Sequence, residues 1–346
     1  MKIEKFDLKE KVLVVAELSA NHNQNFDIAV KTIEAAKEAG VDAIKFQTYT
    51  PDTLTIDCDN EFFKIQHGTI WDGSSLYELY QKAYTPWEWQ PKLKKIAEDL
   101  GLICFSSPFD FTAVDFLENM NVGAYKIASP EIFDIPLIEY CAKKMKPIII
   151  STGLAELPDI ELAIKACKKV GNNDIILLKC TSAYPTSLSE VDLLTIPNLK
   201  ETFGVMPGLS DHTLGYSVAT ASVALGARFI EKHFILDKSL GGPDSAFSLD
   251  PIEIKKLVKS VRDVEIALGK INYTLSEKMN KIKDLSRSLF IVKDINKGDF
   301  ITKENVRSIR PGYGMHPKHY KDILGKKLKI DVKRGTPLKE EMIKND

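Results

Sequence analysis

One arrangement recurs over about the first 270 residues of this chain: a short apolar run, a polar turn, and a segment with helical spacing. Such alternation is typical of parallel βα units. Eight of these units predict an α/β fold, a TIM (β/α)8 barrel. A doubly wound open sheet is the alternative, but its usual Gly-rich fingerprint is missing. The strand-like runs are 12–18, 43–49, 103–109, 124–129, 147–152, 175–180, 203–210 and 228–234.

Polar side chains gather where these strand-like runs end. Because barrel active sites form at the carboxyl ends of the strands, this placement predicts a single site that all eight strands share. In chain order the ends carry Glu17; Lys45 and Gln47; Ser106 and Ser107; Lys126 and Ser129; Ser151 and Thr152; Thr181 and Tyr184; Ser210 and His212; and Glu231 and His233.

The last of these runs, 228–234, combines a carboxylate with an imidazole. Side chains alternate between the faces of a strand, so Glu231 and His233 are expected on one face and Lys232 on the other. Buried polar groups need partners. His212 ends the preceding strand-like run, and two His on neighbouring strand ends are able to share one divalent cation.

Composition narrows the class of protein. A hydrophobic content of 44% and a net charge of −1 indicate an ordinary globular chain, without the basic character of a nucleic-acid or anionic-membrane partner. The five Cys are scattered and lack CxxC spacing, which favours a reducing, cytoplasmic setting. The first residues lack an apolar signal-peptide core, and no run is long enough to span a membrane.

The remaining residues are expected to form a second, smaller domain. We predict a barrel domain over 1–269, a polar, Lys-rich linker over 270–286, and a β-rich domain over 287–346. The β-rich domain contains an internal repeat, because the Asp294–Gly298 segment recurs 37 residues later as Asp331–Gly335. Between the copies lies a Gly/Pro-rich loop, 310–317, which is suited to reaching a ligand.

One long segment, 50–85, interrupts the strand–helix alternation. It is rich in Asp, Gly and aromatic residues. Connections of this length inside a compact fold are usually functional lids or surface excursions.

The strand-end cations indicate the substrate class. In a barrel Lys45 and Lys126 would point inward, which is costly without an anionic partner. Hydroxyl donors accompany them, so a small substrate with phosphate and carboxylate groups would fit. No P-loop is present, which argues against a nucleoside triphosphate. A Schiff-base Lys and a buried ion pair remain alternatives. The hydroxyl donors are Ser107, Ser129, Ser151 and Ser210.

The two strand-end histidines suggest an open metal site. With His212 and His233 as the only imidazoles, water or substrate oxygens would complete the coordination sphere of a Lewis-acid cation. Mn²⁺ or Mg²⁺ suits such a site better than structural zinc, because no Cys ligands lie nearby. Two satisfied core histidines are the alternative. Glu17, Glu231 and Asp244 are acid–base candidates, and a salt bridge or turn cap is the alternative for each.

Taken together, the motifs resemble the sialic acid synthase family, and the tail resembles its antifreeze-like (SAF) domain. The resemblance covers essentially the whole chain, and within the family it is strongest to the members that make pseudaminic acid, through 70–80, 85–89 and 181–185. Ser182 stands where N-acetylneuraminate synthases tend to have Asn. The motifs are 16–23 (AELSANHN), 45–47 (KFQ), 107–109 (SPF), 126–129 (KIAS), 151–153 (STG), 209–212 (LSDH) and 231–234 (EKHF).

The resemblance implies a reaction. Phosphoenolpyruvate would condense with an acylated amino sugar, 2,4-diacetamido-2,4,6-trideoxy-L-altrose, and phosphate would leave by C–O cleavage. It also implies a domain-swapped homodimer in which Arg310 reaches the partner's sugar. The implied phosphoenolpyruvate-binding residues are Lys45, Ser107, Lys126, Ser129, Ser151 and Ser210, the catalytic residues Glu17, Glu231 and Asp244, the sugar-binding residues Gln47, Tyr184 and Arg310, and the metal ligands His212 and His233.

Three alternatives to this reaction stay open. The acceptor sugar would be different in an N-acetylneuraminate or legionaminic acid synthase. The chemistry would be different in a Schiff-base aldolase that uses Lys126 as its nucleophile. A sugar-binding protein without activity is the third, suggested by the antifreeze-like tail alone.

Overall fold

The computed structural model describes residues 1–66, 68 and 70–344. The chain divides into two compact units, Met1–Gly269 and Lys270–Asp346. Each unit has a hydrophobic core of its own. The segment 270–286, expected as a linker, falls in the second unit and contains a short helix, Glu277–Lys283.

Within the described residues, eight parallel strands close into a barrel in which each strand pairs with the next along the chain and the last pairs with the first. The predicted TIM barrel is therefore confirmed. Its strands are Leu13–Glu17, Ala43–Thr48, Ile103–Pro108, Tyr125–Ile127, Ile148–Ser151, Ile175–Cys180, Met206–Asp211 and Phe229–His233.

Helices connect the strands, and their ends follow from local sequence. Asp110 and Asp250 accept backbone N–H bonds at helix starts, and Gly40 ends the first helix at φ 90°. The principal helices are Phe26–Ala39, Gln90–Asp99, Phe111–Asn119, Ile135–Lys143, Leu157–Lys169, Thr195–Phe203, Ser217–Ala224 and Pro251–Leu268.

The barrel interior is filled below the polar strand ends. Phe229 points inward and contacts the Phe105 ring, with 6.1 Å between the centroids. Gly208 packs closely against this pair. Only glycine fits at this position, because a Cβ would lie 2.6 Å from the Phe229 carbonyl oxygen. Ile230, the next residue along the strand, belongs instead to the layer between strands and helices. The alternation predicted for this strand is confirmed.

The excursion over 50–85 is partly helical. It contains the helices Pro51–Leu54 and Leu76–Ala83, each started by a capping box, at Thr50 and Ser75 respectively. The described part of the segment therefore contains regular secondary structure within the barrel unit.

The second unit is pseudo-symmetric, as the 37-residue repeat predicted. Asp294 accepts a hydrogen bond from Arg334 N at 2.8 Å, and Asp331 accepts one from Lys297 N at 2.6 Å. The two bonds are equivalent by the pseudo-symmetry, because each joins an Asp of one copy to a backbone N–H of the other. Ile295 also pairs with Val332, which occupies the same position in the second copy. Two antiparallel strands, Ser288–Ile291 and Val306–Ile309, pack on the shared core.

Two general expectations concern cysteines and membranes. All five cysteines are unbridged. Over the described ranges, we find no helix with the length and apolar character needed to traverse a bilayer.

Candidate active site

A cavity of about 520 Å³ opens at the carboxyl ends of the barrel strands. It collects almost every barrel residue that the sequence placed in a site. Ser107 is not in the lining, because it lies buried next to Lys45. The strand-end residues Ser106, Thr152 and Thr181 are not in the lining either. Their hydroxyls bond instead to Thr48, the Leu178 carbonyl and the Glu190 carbonyl, respectively. The predicted residues in the lining are Glu17, Lys45, Gln47, Lys126, Ser129, Ser151, Tyr184, Ser210, His212, Glu231, His233 and Asp244.

The first charged group in the cavity is the ion pair of Lys45 with Glu17. Both side chains are almost fully buried, and the strand register places them side by side. Lys45 also donates to Ser107 Oγ at 3.3 Å and lies 3.7 Å from Glu231 Oε1. Burial raises the pKa of Glu17 to about 7, although the Lys45 ammonium opposes this shift. Glu17 is therefore able to exchange a proton near neutral pH.

The second charged group is Lys126 with Glu231. Lys126 Nζ lies 3.5 Å from Glu231 Oε1, and Ser210 Oγ donates to the same oxygen at 3.4 Å. Burial lowers the pKa of Lys126. Burial opposes ionisation of Glu231, but the ammonium groups of Lys126 and Lys45 lower its pKa overall. Two cations thus face two carboxylates, of which Glu17, with a pKa of about 7, is partly protonated near neutral pH, so the arrangement can accommodate further negative charge.

Hydroxyl donors lie next to Lys126. Ser129 Oγ accepts a hydrogen bond from Gly153 N at 3.1 Å, while the buried Ser151 Oγ has no hydrogen-bond partner among the described residues. A Cβ at Gly153 would collide with Ser182 Oγ and lie 2.8 Å from Ser129 Oγ. Glycine keeps this space open, so the pocket presents hydroxyl and backbone donors suited to a phosphate or carboxylate.

The two predicted metal ligands face one another across the last two strands. The rings of His212 and His233 have centroids 5.3 Å apart. His212 donates from Nδ1 to the Thr181 carbonyl at 3.0 Å, which leaves the Nε2 lone pair free for a ligand bond. Burial lowers the pKa of His233 well below its usual value, so this ring is neutral, as metal binding requires.

These donors fit a cation that takes most of its ligands from outside the protein. In the part of the chain that the structure describes, no group of three or more His, Cys, Asp or Glu side chains is arranged to hold a metal ion. The buried His233 Nδ1 has no hydrogen-bond partner there either, and it lies 3.6 Å from Asp244 Oδ2. Two imidazoles with open positions match the proposed Lewis-acid site and not a closed structural one. The expectation that no Cys lies nearby was wrong, because Cys180 lines the cavity with its Sγ 3.9 Å from His212 Nδ1. Burial opposes protonation of His212, but its interactions with Cys180 raise the pKa of this ring overall.

A directed chain of hydrogen bonds links Gln47, Ser19 and Asp244 in the cavity wall. Gln47 Nε2 donates to Glu17 Oε1 at 3.0 Å and to Ser19 Oγ at 3.2 Å. Ser19 in turn donates to the Asp244 carboxylate. Burial raises the pKa of Asp244, and the Ser19 bond opposes that shift.

Sequence reasoning missed several residues of the cavity wall. Glu131, which follows the fourth strand, is half-buried and lines the cavity, and its buried Oε2 has no hydrogen-bond partner among the described residues. Burial raises its pKa to about 7. Its position two residues after Ser129 was the available signal. Ser19 was passed over because its role depends on contact with Asp244, 225 residues away in sequence.

The excursion supplies an aromatic wall that the sequence did not place. The Trp71 and Tyr184 rings lie 5.4 Å apart, and Trp71 Nε1 donates to the Pro243 carbonyl at 3.1 Å. Phe62 and Tyr80 also line the cavity. The expectation that 50–85 is a functional element is thereby strengthened, because this segment forms part of the cavity.

Arg310 lies in the second unit, where its side chain is exposed. The loop that follows it is pinned, since Ser288 Oγ donates to the Pro311 carbonyl at 2.6 Å and accepts from Gly314 N at 2.8 Å. Gly314 also packs so closely on the Leu289 carbonyl that a Cβ would collide with it. The loop therefore presents Arg310 from a fixed backbone.

Known proteins share this combination of domains. Residues 32–273 match the NeuB family and residues 286–344 match the SAF domain. Pseudaminic acid synthase of Campylobacter jejuni subsp. jejuni is 48% identical over 340 residues, covering 98% of this chain and 99% of that protein. N,N'-diacetyllegionaminic acid synthase of Legionella pneumophila is 39% identical, covering 95% of this chain and 94% of that protein.

A solved structure shows the same architecture. The crystal structure of N-acetylneuraminic acid synthetase from Leptospira borgpetersenii, in complex with citrate, aligns with a TM-score of 0.70 at 30% identity, covering 78% of this chain and 90% of that one. The resemblance that the motifs indicated is thus confirmed at the level of sequence and of fold. The family match over most of the barrel and the full-length relative show that the chain belongs to the NeuB family.

Proposed function

We propose that this chain is a pseudaminic acid synthase that condenses phosphoenolpyruvate with 2,4-diacetamido-2,4,6-trideoxy-L-altrose. One observation carries the proposal: two buried ammonium groups, Lys45 and Lys126, line the same cavity as a facing pair of imidazoles, His212 and His233. The ammonium groups suit a small dianion or trianion, and the imidazoles suit a cation that activates a carbonyl.

Phosphoenolpyruvate would bind on the lysine side of the cavity. Its phosphate and carboxylate would form ion pairs with the ammonium groups of Lys45 and Lys126 and accept hydrogen bonds from the neighbouring serines. The unpartnered Ser151 hydroxyl supports this placement, because a buried donor without a partner is costly until a ligand satisfies it. The serines assigned to this substrate are Ser107, Ser129, Ser151 and Ser210, of which Ser107 would act through Lys45.

The acceptor sugar would bind on the histidine side. His212 and His233 would hold Mn²⁺ or Mg²⁺, which when bound would supply Lewis-acid activation of the aldehyde oxygen and help orient water. Gln47 and Tyr184 would contact the sugar, since both line the cavity and the Tyr184 ring lies 4.4 Å from the His212 ring, centroid to centroid.

The reaction balances with these groups. A bond forms between C3 of phosphoenolpyruvate and the aldehyde carbon, whose oxygen takes up a proton and becomes a hydroxyl. Water adds to C2, the C2–O bond breaks to release phosphate, and C2 becomes a ketone; of the two water protons, one balances that on the new hydroxyl and the other leaves on the phosphate. Glu17 would take a proton from that water, a role that suits a carboxyl group with a pKa of about 7. Glu231 and Asp244 would act beside the sugar as further acid–base groups.

The acceptor assignment rests on the named relatives. The relative named for pseudaminic acid is 48% identical to this chain, and the one named for N,N'-diacetyllegionaminic acid is 39% identical. The higher identity over an equally complete alignment favours the altrose derivative as the acceptor.

The proposal extends to assembly and location. The chain would form a domain-swapped homodimer in which 270–286 acts as the linker and Arg310 meets an acyl group of the sugar in the partner's barrel. The exposed position of Arg310 on a pinned loop supports this role.

We place the enzyme in the cytoplasm, where reducing conditions keep thiols such as its five unbridged cysteines free.

A phosphate-release assay tests the acceptor. The wild-type enzyme, phosphoenolpyruvate and Mn²⁺ are combined with the altrose derivative, with N-acetylmannosamine, or with the diacetamido precursor of legionaminic acid. We expect the highest kcat/KM with the altrose derivative and no release without a sugar. Preferred turnover of another sugar would overturn the assignment.

A trapping experiment separates this chemistry from that of an aldolase. Borohydride treatment in the presence of pyruvate would attach the three-carbon unit to a Schiff-base Lys. We expect intact mass unchanged in the wild type, because Lys126 serves here as a cation. A mass increase that disappears in Lys126→Met would establish the aldolase instead.

A further inference from the structure

Ser19 lies in the turn after the first barrel strand, with the backbone in the left-handed region at φ 45°. An L side chain is disfavoured in this region and glycine is not. Of the described residues other than glycine with positive φ, Ser19 alone lines the cavity, and its side chain is almost fully buried. A residue with a disfavoured backbone conformation in a functional cavity is expected to have a side chain whose interactions compensate for the strain.

The hydroxyl supplies such a reason. It donates to the Asp244 carboxylate and accepts from Gln47 Nε2 at 3.2 Å. A hydroxyl is a donor and an acceptor at once, so it can link an amide donor to a carboxylate. Neither glycine, which the backbone would prefer, nor alanine can make that link. The structure thus retains an unfavourable backbone conformation at the one place where a hydroxyl joins these two side chains.

The two side chains that Ser19 joins come from different parts of the barrel. Gln47 is on the second strand, whereas Asp244 lies in the loop after the last strand, beside His233. The Gln47 amide also donates to Glu17 Oε1 at 3.0 Å. The hydroxyl therefore fixes which way a flexible amide and a flexible carboxylate point. It is the middle of a chain of side chains that runs from Glu17, the ion-pair partner of Lys45, to Asp244 beside His233.

We propose that Ser19 is the positioning residue for the acceptor sugar: its hydroxyl holds the Gln47 amide and the Asp244 carboxylate in the arrangement that receives hydroxyl and N–H groups of the acceptor. This inference rests on the proposed function for the identity of the acceptor. Ser19 acts through its two neighbours. In the hydrogen bonds of the described residues it makes none to Lys126 or the serine pocket, and it reaches Lys45 only through Gln47 and Glu17, so its removal should affect the acceptor far more than phosphoenolpyruvate.

Two substitutions separate the hydroxyl from the backbone strain. Ser19→Ala removes the hydroxyl and keeps an L residue at positive φ, whereas Ser19→Gly removes the hydroxyl and relieves the strain. We expect both to raise the acceptor KM about tenfold, the usual scale for losing a hydrogen bond to a charged group. We expect the phosphoenolpyruvate KM to change by less than about twofold, and Ser19→Gly to be the more heat-stable variant.

Met145→Gly is the matched control for strain relief. Met145 also has positive φ, at 57°, but it is exposed and follows a helix that ends at Lys143. We expect a higher melting temperature and unchanged kinetics for this variant.

A double-mutant cycle tests whether Ser19 acts through Asp244. If it does, Ser19→Ala combined with Asp244→Asn should raise the acceptor KM no further than Asp244→Asn alone. Additive effects would overturn the positioning role, as would a wild-type acceptor KM in Ser19→Gly or a parallel rise in both KM values. If wild type prefers another sugar, the proposed acceptor fails, and the same KM comparison is made with that sugar.

Discussion

Glu17 is a buried carboxyl group that is only partly ionised near neutral pH. Its pKa is raised to about 7, and its ionised form is the one able to accept a proton from water. As pH falls through 7 the ionised fraction falls, so kcat/KM should drop about tenfold per pH unit on the acidic side. Glu17→Gln should lower kcat by about 10²- to 10⁴-fold and remove this limb of the pH profile.

Glu131→Gln is the control for that pH profile. Glu131 also lines the cavity, and burial raises its pKa to about 7 as well. We expect the acidic limb to remain in this variant. An acidic limb with an unchanged midpoint in Glu17→Gln would show that another group is the base.

His233 tests the metal assignment directly. Replacing it with Ala leaves His212 as the only imidazole in the cavity among the described residues, and one imidazole holds a divalent cation poorly. We expect His233→Ala to lose Mn²⁺ binding, measured by electron paramagnetic resonance of free Mn²⁺, together with metal-dependent turnover. His319→Ala, which removes a half-exposed His of the second unit, should bind Mn²⁺ normally. Unchanged Mn²⁺ affinity in His233→Ala would refute the assignment.

Residues at this scale were predictable where a local rule decides them. The two-residue period of a strand was enough to bring Glu231 and His233 to one face. Ser19 and Glu131 were not predictable, because their importance depends on a positive φ in one case and on burial against distant strands in the other. No periodicity in the sequence records either property.

At the scale of elements, the last two strands are joined by a buried ion pair on their outer face. Lys232 Nζ lies 3.0 Å from Asp211 Oδ2, with both side chains almost fully buried. Lys232 stands between Glu231 and His233, and Asp211 precedes His212. The pair therefore holds the backbone that carries both predicted metal ligands.

Breaking this pair should be costly. Lys232→Met leaves the Asp211 carboxylate buried without its cation, so we expect the barrel to lose about 3–5 kcal/mol of unfolding free energy. The measurement is guanidinium unfolding followed by circular dichroism. Adding Asp211→Asn removes the second charge and should restore part of the loss.

An exposed ion pair is the control for this prediction. Lys95 pairs with Asp99 at 2.9 Å, with the two side chains 73% and 63% exposed. Lys95→Met should change stability by no more than about 0.5 kcal/mol. A similarly small effect of Lys232→Met would show that the buried pair contributes little.

Elements were predictable in number and order, because the strand–helix alternation leaves few topologies open. The role of 50–85 was not. Its helices and the position of Trp71 against Tyr184 depend on packing over the barrel mouth, and a segment rich in polar residues gives no period from which to infer that packing.

At the scale of the whole molecule, the proposed domain swap can be tested by mixing two defective variants. Arg310→Ala has an intact barrel, and Lys126→Met has an intact second domain. If Arg310 serves the partner's barrel, each mixed dimer regains one complete site. Random exchange at equal concentrations should then recover about one quarter of wild-type activity.

Size-exclusion chromatography and each variant alone are the controls for the mixing experiment. Both variants should elute as dimers, and neither should be active alone at the acceptor concentration used. Absence of recovery after demonstrated subunit exchange would place Arg310 in the site of its own chain or outside any site.

The duplicated second domain was readable from the repeat spacing alone. Assembly was not, because the partner of an exposed Arg depends on another chain, and this sequence gives that partner only through a family resemblance. The barrel and its strand-end residues therefore have a physical derivation, whereas the dimer remains a proposal.

The fate of the bridging oxygen of phosphoenolpyruvate tests the central claim most directly. Wild-type enzyme is incubated with the altrose derivative, Mn²⁺ and phosphoenolpyruvate labelled with ¹⁸O at the C2–O–P bridge. The ¹⁸O content of both products is then measured by mass spectrometry. The account predicts a nine-carbon sugar acid without label and phosphate that carries it, because the C2–O bond breaks. Unlabelled phosphate, or label retained in the sugar acid, would contradict the account.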